Sequence, residues 1–351
     1  MMKVRWRLSS TLRMRALAAV ASAAVLVLSV AVPAAATPSR AGGTRTGIAY
    51  DVNDSGVIVG YVGDAAGQRR AVRWNTDGTV TELRRQPGAT TSRAYSINRD
   101  GAIVGESQGL PVRWNTNGTT TVLNHPRPDG YDPFRVNVNG VAAGWSGGTT
   151  SPRPVRWRSD GTITELPLLA GGRNGQPWGI NQNGVIVGDS EILDDGAYEW
   201  HAVRWNADGT VTDLAPPGAI GSTAYDINRN GVIVGPSWTA DGTWRAVRWN
   251  TDGTITDLAP LPGGSTPYPI SINDSGVVAG YSLNTAGKWR AVRWSANGAI
   301  TELPGLQDSA EDFVWSINRQ GVIVGHSVNA AGESRPVRWS PNGTITKLPG
   351  L

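Results

Sequence analysis

The sequence predicts an all-β chain folded as a seven-bladed β-propeller with four antiparallel strands per blade. Three observations carry this. Two short anchors alternate seven times along the chain. Each pair of anchors is separated by Asn-, Asp- and Gly-bearing turns of the kind tight hairpins require. The composition is rich in turn formers and Trp, with 45 Gly, 22 Pro and 15 Trp among 351 residues. Such usage excludes a coiled coil, a helical bundle and a disordered chain.

Residues 1–36 read as a secretory signal. Lys3, Arg5, Arg7, Arg13 and Arg15 precede an apolar run from Ala16 to Val32, and Ala34-Ala35-Ala36 supplies small residues for cleavage. A retained anchor is the alternative reading, since the run lies at the short edge of a spanning helix. Cleavage removes five of the 32 basic residues, leaving 27 against 28 acidic ones. A near-neutral mature chain suits a nucleic-acid partner poorly, because such affinity rests on neutralising phosphates. With no Cys there is no disulfide, no thiolate metal site and no Cys nucleophile. The expected location is extracellular, with no stable membrane anchor after cleavage. Residues 37–48 read as a linker.

The first anchor is an apolar residue, Asn, two variable residues and Gly. Its Asn falls at Asn53, Asn98, Asn137, Asn181, Asn228, Asn273 and Asn318. The second is Val-Arg-Trp, with Trp74, Trp114, Trp157, Trp205, Trp249, Trp294 and Trp339. The period of about 45 residues gives repeats at 49–93, 94–132, 133–176, 177–223, 224–268, 269–313 and 314–351. In the fifth copy, Ala224–Asn228, Val232–Gly235, Arg245–Trp249 and Thr254–Leu258 read as four strands joined by three tight turns. A Pro/Gly link, 259–268, leads to the next copy. One such sheet cannot bury both faces, and stacking copies around an axis does. An open β-solenoid is the competing architecture. The repeats leave open whether the ring closes by packing of copy one on copy seven or by a shared sheet.

The alternation of Ile-Asn-x-x-Gly-Val-Ile-Val-Gly-x-Ser with Ala-Val-Arg-Trp, then Thr-Ile-Thr-x-Leu and Pro-Gly-Gly, resembles the bacterial extracellular HAF repeats over residues 49–351. His201-Ala202-Val203-Arg204-Trp205 comes nearest to the name-giving triplet. Elsewhere the His position holds Arg70, Leu110, Arg153, Arg245, Arg290 and Arg335, and Phe never appears. The resemblance implies an exported repeat protein and brings no catalytic site.

Several residue sets are candidates for function. Arg73, Arg113, Arg156, Arg204, Arg248, Arg293 and Arg338 form either a basic ring or structural pairs with the strand-four acids Glu82, Glu165, Asp213, Asp257 and Glu302, and the pairing reading is preferred. The Trp row, and a second row at Tyr50, Tyr95, Phe134, Trp178, Tyr225, Ile270 and Trp315, are expected to pack blade on blade. Tyr61, Glu106, Trp145, Asp189, Pro236, Tyr281 and His326 differ chemically while Gly precedes each of them. On a propeller they share one circle, which reads as a ligand-contact face. The rim of that face is the long loop 189–201, carrying Glu191, Asp194, Tyr198 and Trp200. The bland alternative is an unconstrained solvent-exposed ring. A link at 124–132 holds His125, Arg127 and Tyr131.

Catalysis has thin support. His125, His201 and His326 are the only His, at non-equivalent positions, and no nucleophile elbow, phosphate loop or paired-His metal motif is present. Glu106, Asp189 and His326 are the best trio for a lyase or glycoside hydrolase. The preferred reading is a monomeric, non-catalytic binding module for surface glycans or an extracellular protein. It has no cofactor and no metal; a purely structural envelope protein is the remaining option.

Overall fold

The computed structural model describes residues 46–351 except 65, 125–130, 148–151 and 195. The signal segment, His125 and Arg127 lie outside the described residues. Seven antiparallel sheets follow one another: Gly47–Glu82, Ser92–Val122, Tyr131–Glu165, Gly175–Asp213, Ala219–Leu258, Ser265–Glu302 and Ser309–Lys347. Each sheet keeps its strands in chain order, and no helix occurs among the described residues. The first strands of neighbouring blades approach one another around the axis, so the chain is a closed seven-bladed β-propeller.

Blade boundaries sit earlier than the sequence periods suggest. First strands such as Ser265–Ile272 and Ser309–Ile317 begin well before the Asn anchor. Period boundaries such as 268/269 and 313/314 therefore fall inside strand one. The cause is a bulge three residues before the Asn, which lets strand one continue past it. Register shifts occur there, at Ala49/Asp51, Ala94/Ser96, Pro177/Gly179 and Val314/Ser316 among others. Two residues before the bulge a carbonyl presses on strand two, where the repeated Gly stands. A Cβ on Gly60, Gly105, Gly188, Gly235, Gly280 or Gly325 would lie 1.9–2.0 Å from a strand-one carbonyl oxygen. Only Gly permits that approach. In the fifth blade strand one splits into Ala219–Ser222 and Asp226–Ile227. Pro236 stands opposite and has no N–H for the ladder.

Two opposed rings of hydrogen bonds lock the blades. Each anchor Asn holds its own turn through Oδ1, as in the 3.0 Å bonds from Asn230 N and Val232 N to Asn228. Its Nδ2 donates to the carbonyl of the next anchor Asn, from Asn53→Asn98 at 3.3 Å round to Asn318→Asn53 at 3.0 Å. Asp could not replace Asn here, because it lacks the donor. In the other direction, each strand-three Trp donates Nε1 to a carbonyl just past strand four of the preceding blade, over 2.6–2.8 Å. All seven indoles are buried.

The ring closes without a shared sheet: no strand is shared between the last sheet and the first. Val322, Val324 and Leu348 join the core of blade 1. Trp74 reaches the Pro349 carbonyl, and Ser316 Oγ donates to Asp51. The seam therefore repeats the Asn and Trp links of the other interfaces.

The pairing expected for the Val-Arg-Trp arginines is corrected by register. Val72 stands opposite Glu82 and Arg73 opposite Thr81. Alternation along a strand puts the acid on the same face as the residue two before the Val. The acids accordingly pair with Arg70, His201, Arg245 and Arg290, the last at 3.7 Å from Glu302. Three of the Val-Arg-Trp arginines, Arg113, Arg248 and Arg293, instead donate to turn carbonyls of the next blade, Arg248 to Ala296 at 2.8 Å and Arg293 to Pro341 at 2.7 Å. These three brace neighbouring blades, while Arg204 bonds Asn206 of its own blade.

Candidate functional site

The two ends of the axial channel differ. At the end marked by the anchor asparagines lies a polar chamber of about 200 Å³, lined by that ring and by Asp51, Ser96, Arg135, Asp226, Ser271 and Ser316. Arg135 comes from strand one of blade 3, and its Nη2 donates to the Trp315 carbonyl of blade 7 at 3.4 Å. The guanidinium thus spans the channel. Asp51 accepts from Val52 N, Ser96 Oγ, Ile97 N and Ser316 Oγ. Asp226 is bound by Ile227 N, Ser271 Oγ and Ile272 N. Burial holds its pKa above the usual carboxylate range, against the attraction of Arg135.

Toward the other end, the bulge throws one side chain per blade into an aromatic crown. Ring centroids run Trp315–Tyr50 5.3 Å, Tyr50–Tyr95 5.5 Å, Tyr95–Phe134 5.8 Å, Phe134–Trp178 5.0 Å and Trp178–Tyr225 5.9 Å. Six consecutive blades contribute, and Ile270 takes the seventh position. Most of these rings are half-buried rather than enclosed. This row was expected to be core between blades; the bulge turns it toward the axis instead. A second aromatic cluster over blades 5 and 6 joins Trp238, Trp244, Tyr268, Trp289 and Tyr281 at 5.0–5.7 Å, and Phe313 and His326 link it to Trp315 of the crown.

The predicted contact ring lies behind this crown, which corrects both expectations for it. Tyr61, Glu106, Trp145, Asp189 and His326 are 4–8% exposed, Pro236 is buried and Tyr281 half-buried. Each stands beside strand one of its own blade, as in Ile48↔Tyr61, Arg93↔Glu106, Tyr268↔Tyr281 and Phe313↔His326. The identities vary because each must match a different partner. Tyr61 lies 5.9 Å from Tyr50, and Trp145 stacks at 6.2 Å on Phe134. Glu106 is 3.8 Å from Arg93 and accepts from Gly109 N.

Two blades use the same device. Trp178 Nε1 donates to Asp189 Oδ2 at 2.9 Å, and Trp315 Nε1 donates to His326 Nδ1 at 3.0 Å. The second bond leaves His326 neutral, with its proton on Nε2. Glu106 and His326 are therefore tied within their own blades, and Asp189 is tied to Trp178 of its own blade and Thr223 of the next. Nothing in the geometry gathers them, and no cluster of three or more potential metal ligands occurs among the described residues.

The rim expected as a loop is paired strand. Ile186–Asp194 and Ala197–Trp205 form one long hairpin, with Trp200 opposite Glu191. Arg173 lies 3.7 Å over the Tyr198 ring and bonds Glu191 through its backbone N–H. The side chains of Asp194 and Tyr131 lie outside the described residues.

Burial shifts the two acceptors in opposite directions. The Asp189 carboxyl rises to about 7 through desolvation, offset in part by the bonds from Trp178 and Thr223. His326 falls to about 4 through desolvation. A raised carboxyl favours the fold below pH 4, and that contribution is lost as pH climbs to 7. A depressed imidazole favours the fold above pH 6.5, and that is lost as pH falls to 4. The two contributions, each up to about 3–4 kcal/mol, nearly cancel between pH 4 and 7. Asp189→Asn should make urea-unfolding stability rise across that window, and His326→Gln should make it fall. Parallel profiles for both variants would contradict the assignment.

No family model matches the sequence, and no curated protein matches it. The fold is similar to virginiamycin B lyase from Staphylococcus aureus, at 19% identity and a TM-score of 0.51, over 80% of this chain and 91% of that one. It is similar to puromycin hydrolase complexed with PGG, at 15% identity and TM-score 0.61, over 89% of this chain and only 54% of that one. It is also similar to the β-propeller domain of the Trilobed protease from Pyrococcus furiosus, at 13% identity and TM-score 0.56, over 87% and 98%. At these identities the likeness is one of fold.

Proposed function

We propose that this protein is an exported, monomeric, non-catalytic binding module that takes a surface glycan or an extracellular protein at the aromatic mouth of its channel. The observation that carries the reading is the crown of rings, most of them half-buried, contributed by six successive blades around one axis. Concave aromatic walls with a few fixed polar groups are the usual make-up of a ligand site. Export is supported by the charge and apolar pattern of residues 1–36. A monomer is supported by the closed ring, which pairs blade 7 with blade 1.

A lyase or hydrolase with a His/carboxylate site would need Glu106, Asp189 and His326 to share a substrate. The bonds that hold each to its own neighbours, away from the other two, speak against it. Turnover of a polysaccharide or lactone panel, abolished by His326→Ala, would favour it instead.

The binding reading is tested by a glycan array beside a pull-down from envelope extract. For any ligand found, Trp178→Ala and Tyr50→Ala should weaken binding about tenfold or more, as loss of an aromatic anchor does. Tyr198→Ala, on the distant hairpin, should leave it unchanged. Normal binding by both crown variants would refute the site.

A further inference from the structure

We infer that the crown receives the free end of an uncharged saccharide chain, with the rest of the chain leaving over blades 5 and 6. This rests on the binding reading above and narrows it.

The cup is blind. Its wall is made by the first strands of all seven blades, which close without a gap. Its floor is the Arg135 guanidinium, spanning from blade 3 to blade 7. The polar chamber beyond that floor is lined by none of the crown rings. A chain passing sideways has no slot to enter and no exit below, so only a terminus fits.

The cup is also narrow. Neighbouring centroids 5.0–5.9 Å apart on a seven-fold circle lie about 6 Å from the axis. A circle of that size leaves room for no more than one sugar-sized ring. An α-helix, about 10 Å across with its side chains, does not.

Its charges are compensated. Glu106 faces Arg93. His326 accepts the Trp315 N–H and is neutral. The floor sets Arg135 among the hydrogen-bonded carboxylates of Asp51 and Asp226. Among these described groups no unpaired charge remains to recognise an acidic glycan or a cation. Aromatic faces suit the apolar C–H faces of a sugar, and the Tyr95 hydroxyl with Arg93 at 3.3 Å provides polar contact at the wall. A lipid tail would leave such polar groups without partners.

The exit follows from an asymmetry. Aromatic contacts extend outward beside Trp238 and Trp244 of blade 5 and Trp289 of blade 6. The Trp238 indole is held between Gly221, where a Cβ would fall 2.1 Å from the ring, and the stacked Trp244. A chain whose last unit sits in the crown finds its next aromatic surface at Trp244 and Trp289.

The test is calorimetric titration with neutral hexaoses (cello-, malto-, manno- and chitohexaose), longer chains of the same sugars, oligogalacturonate and a proline-rich dodecapeptide. At least one neutral series should bind. Affinity per mole of chain ends should stay constant as chains lengthen, and blocking the terminal unit should weaken binding more than tenfold. Trp244→Ala should weaken the hexaose several-fold and leave the disaccharide unchanged. Binding that scales with chain mass, preference for the uronide or the peptide, or silence from every neutral series would overturn the inference. If a uronide or peptide binds and Trp178→Ala abolishes it, the binding reading stands and the saccharide-end inference fails. A ligand indifferent to Trp178→Ala defeats the reading itself.

Discussion

Gly280→Ala should be among the most damaging single-methyl changes in this protein, costing at least about 4 kcal/mol, a size that marks a specific steric mechanism. The added Cβ would lie 1.9 Å from the Tyr268 carbonyl oxygen and 3.1 Å from Pro269 Cα. Both are backbone atoms in a paired strand, so neither can rotate away. Relief requires the bulge to flatten, which would withdraw the crown position of that blade. Gly287→Ala provides the control. Its φ is +66°, and a Cβ there meets nothing within 4 Å. Only conformational strain remains, of about 1 kcal/mol. Chemical denaturation of the two variants should separate them by about 3 kcal/mol. Equal losses would show that the bulge does not impose the glycine.

Trp294→Ala should cost about 3–5 kcal/mol, as deletion of a large core aromatic does. The indole is wholly buried in a cluster with Val278, Val292 and Leu258, and its Nε1 bonds the Ala259 carbonyl at 2.8 Å. Trp294→Phe keeps most of the packing and loses the bond, so it should cost about 1–3 kcal/mol for the carbonyl left without a partner. Trp74→Ala tests the seam in the same way. Trp74 is 3% exposed and bonds Pro349 across the junction of blade 7 with blade 1. If the seam closes the ring as firmly as any other interface, Trp74→Ala and Trp294→Ala should agree within about 1 kcal/mol. A much milder Trp74→Ala would mean that the seam contributes little.

These variants bear on how the chain was readable. Recurrence of the Asn and Trp anchors made the sevenfold division legible, because each unit solves the same interface problem with the same donor and acceptor. What the recurring Asn and Gly do individually was not legible. The Asn link to the next blade, and the clash that excludes a Cβ from strand two, involve atoms about 45 residues away or on another strand. The contact ring was misread for a related reason. Variation at Tyr61, Glu106, Trp145, Asp189, Pro236, Tyr281 and His326 looked like freedom, yet most of these residues are buried. Several of them contact the strand-one residue beside them, as Glu106 does Arg93 and His326 does Phe313. The crown carried a signal in the row Tyr50 to Trp315, but an aromatic three residues before the anchor reads as core unless the bulge is known. The strand-four acids show the same gap: composition named the charges, and register chose Arg70 over Arg73.

Local chemistry was enough to specify sheet, turn and repeat number, since hairpin turns, alternation and periodic Trp act within a few tens of residues. Direction was left to the assembled ring. Which side chains face the axis, which stand behind them and whether the channel is barred depend on a bulge in each first strand and on blades meeting across the centre. Those are contacts between distant parts of the chain, and no short window of sequence contains them.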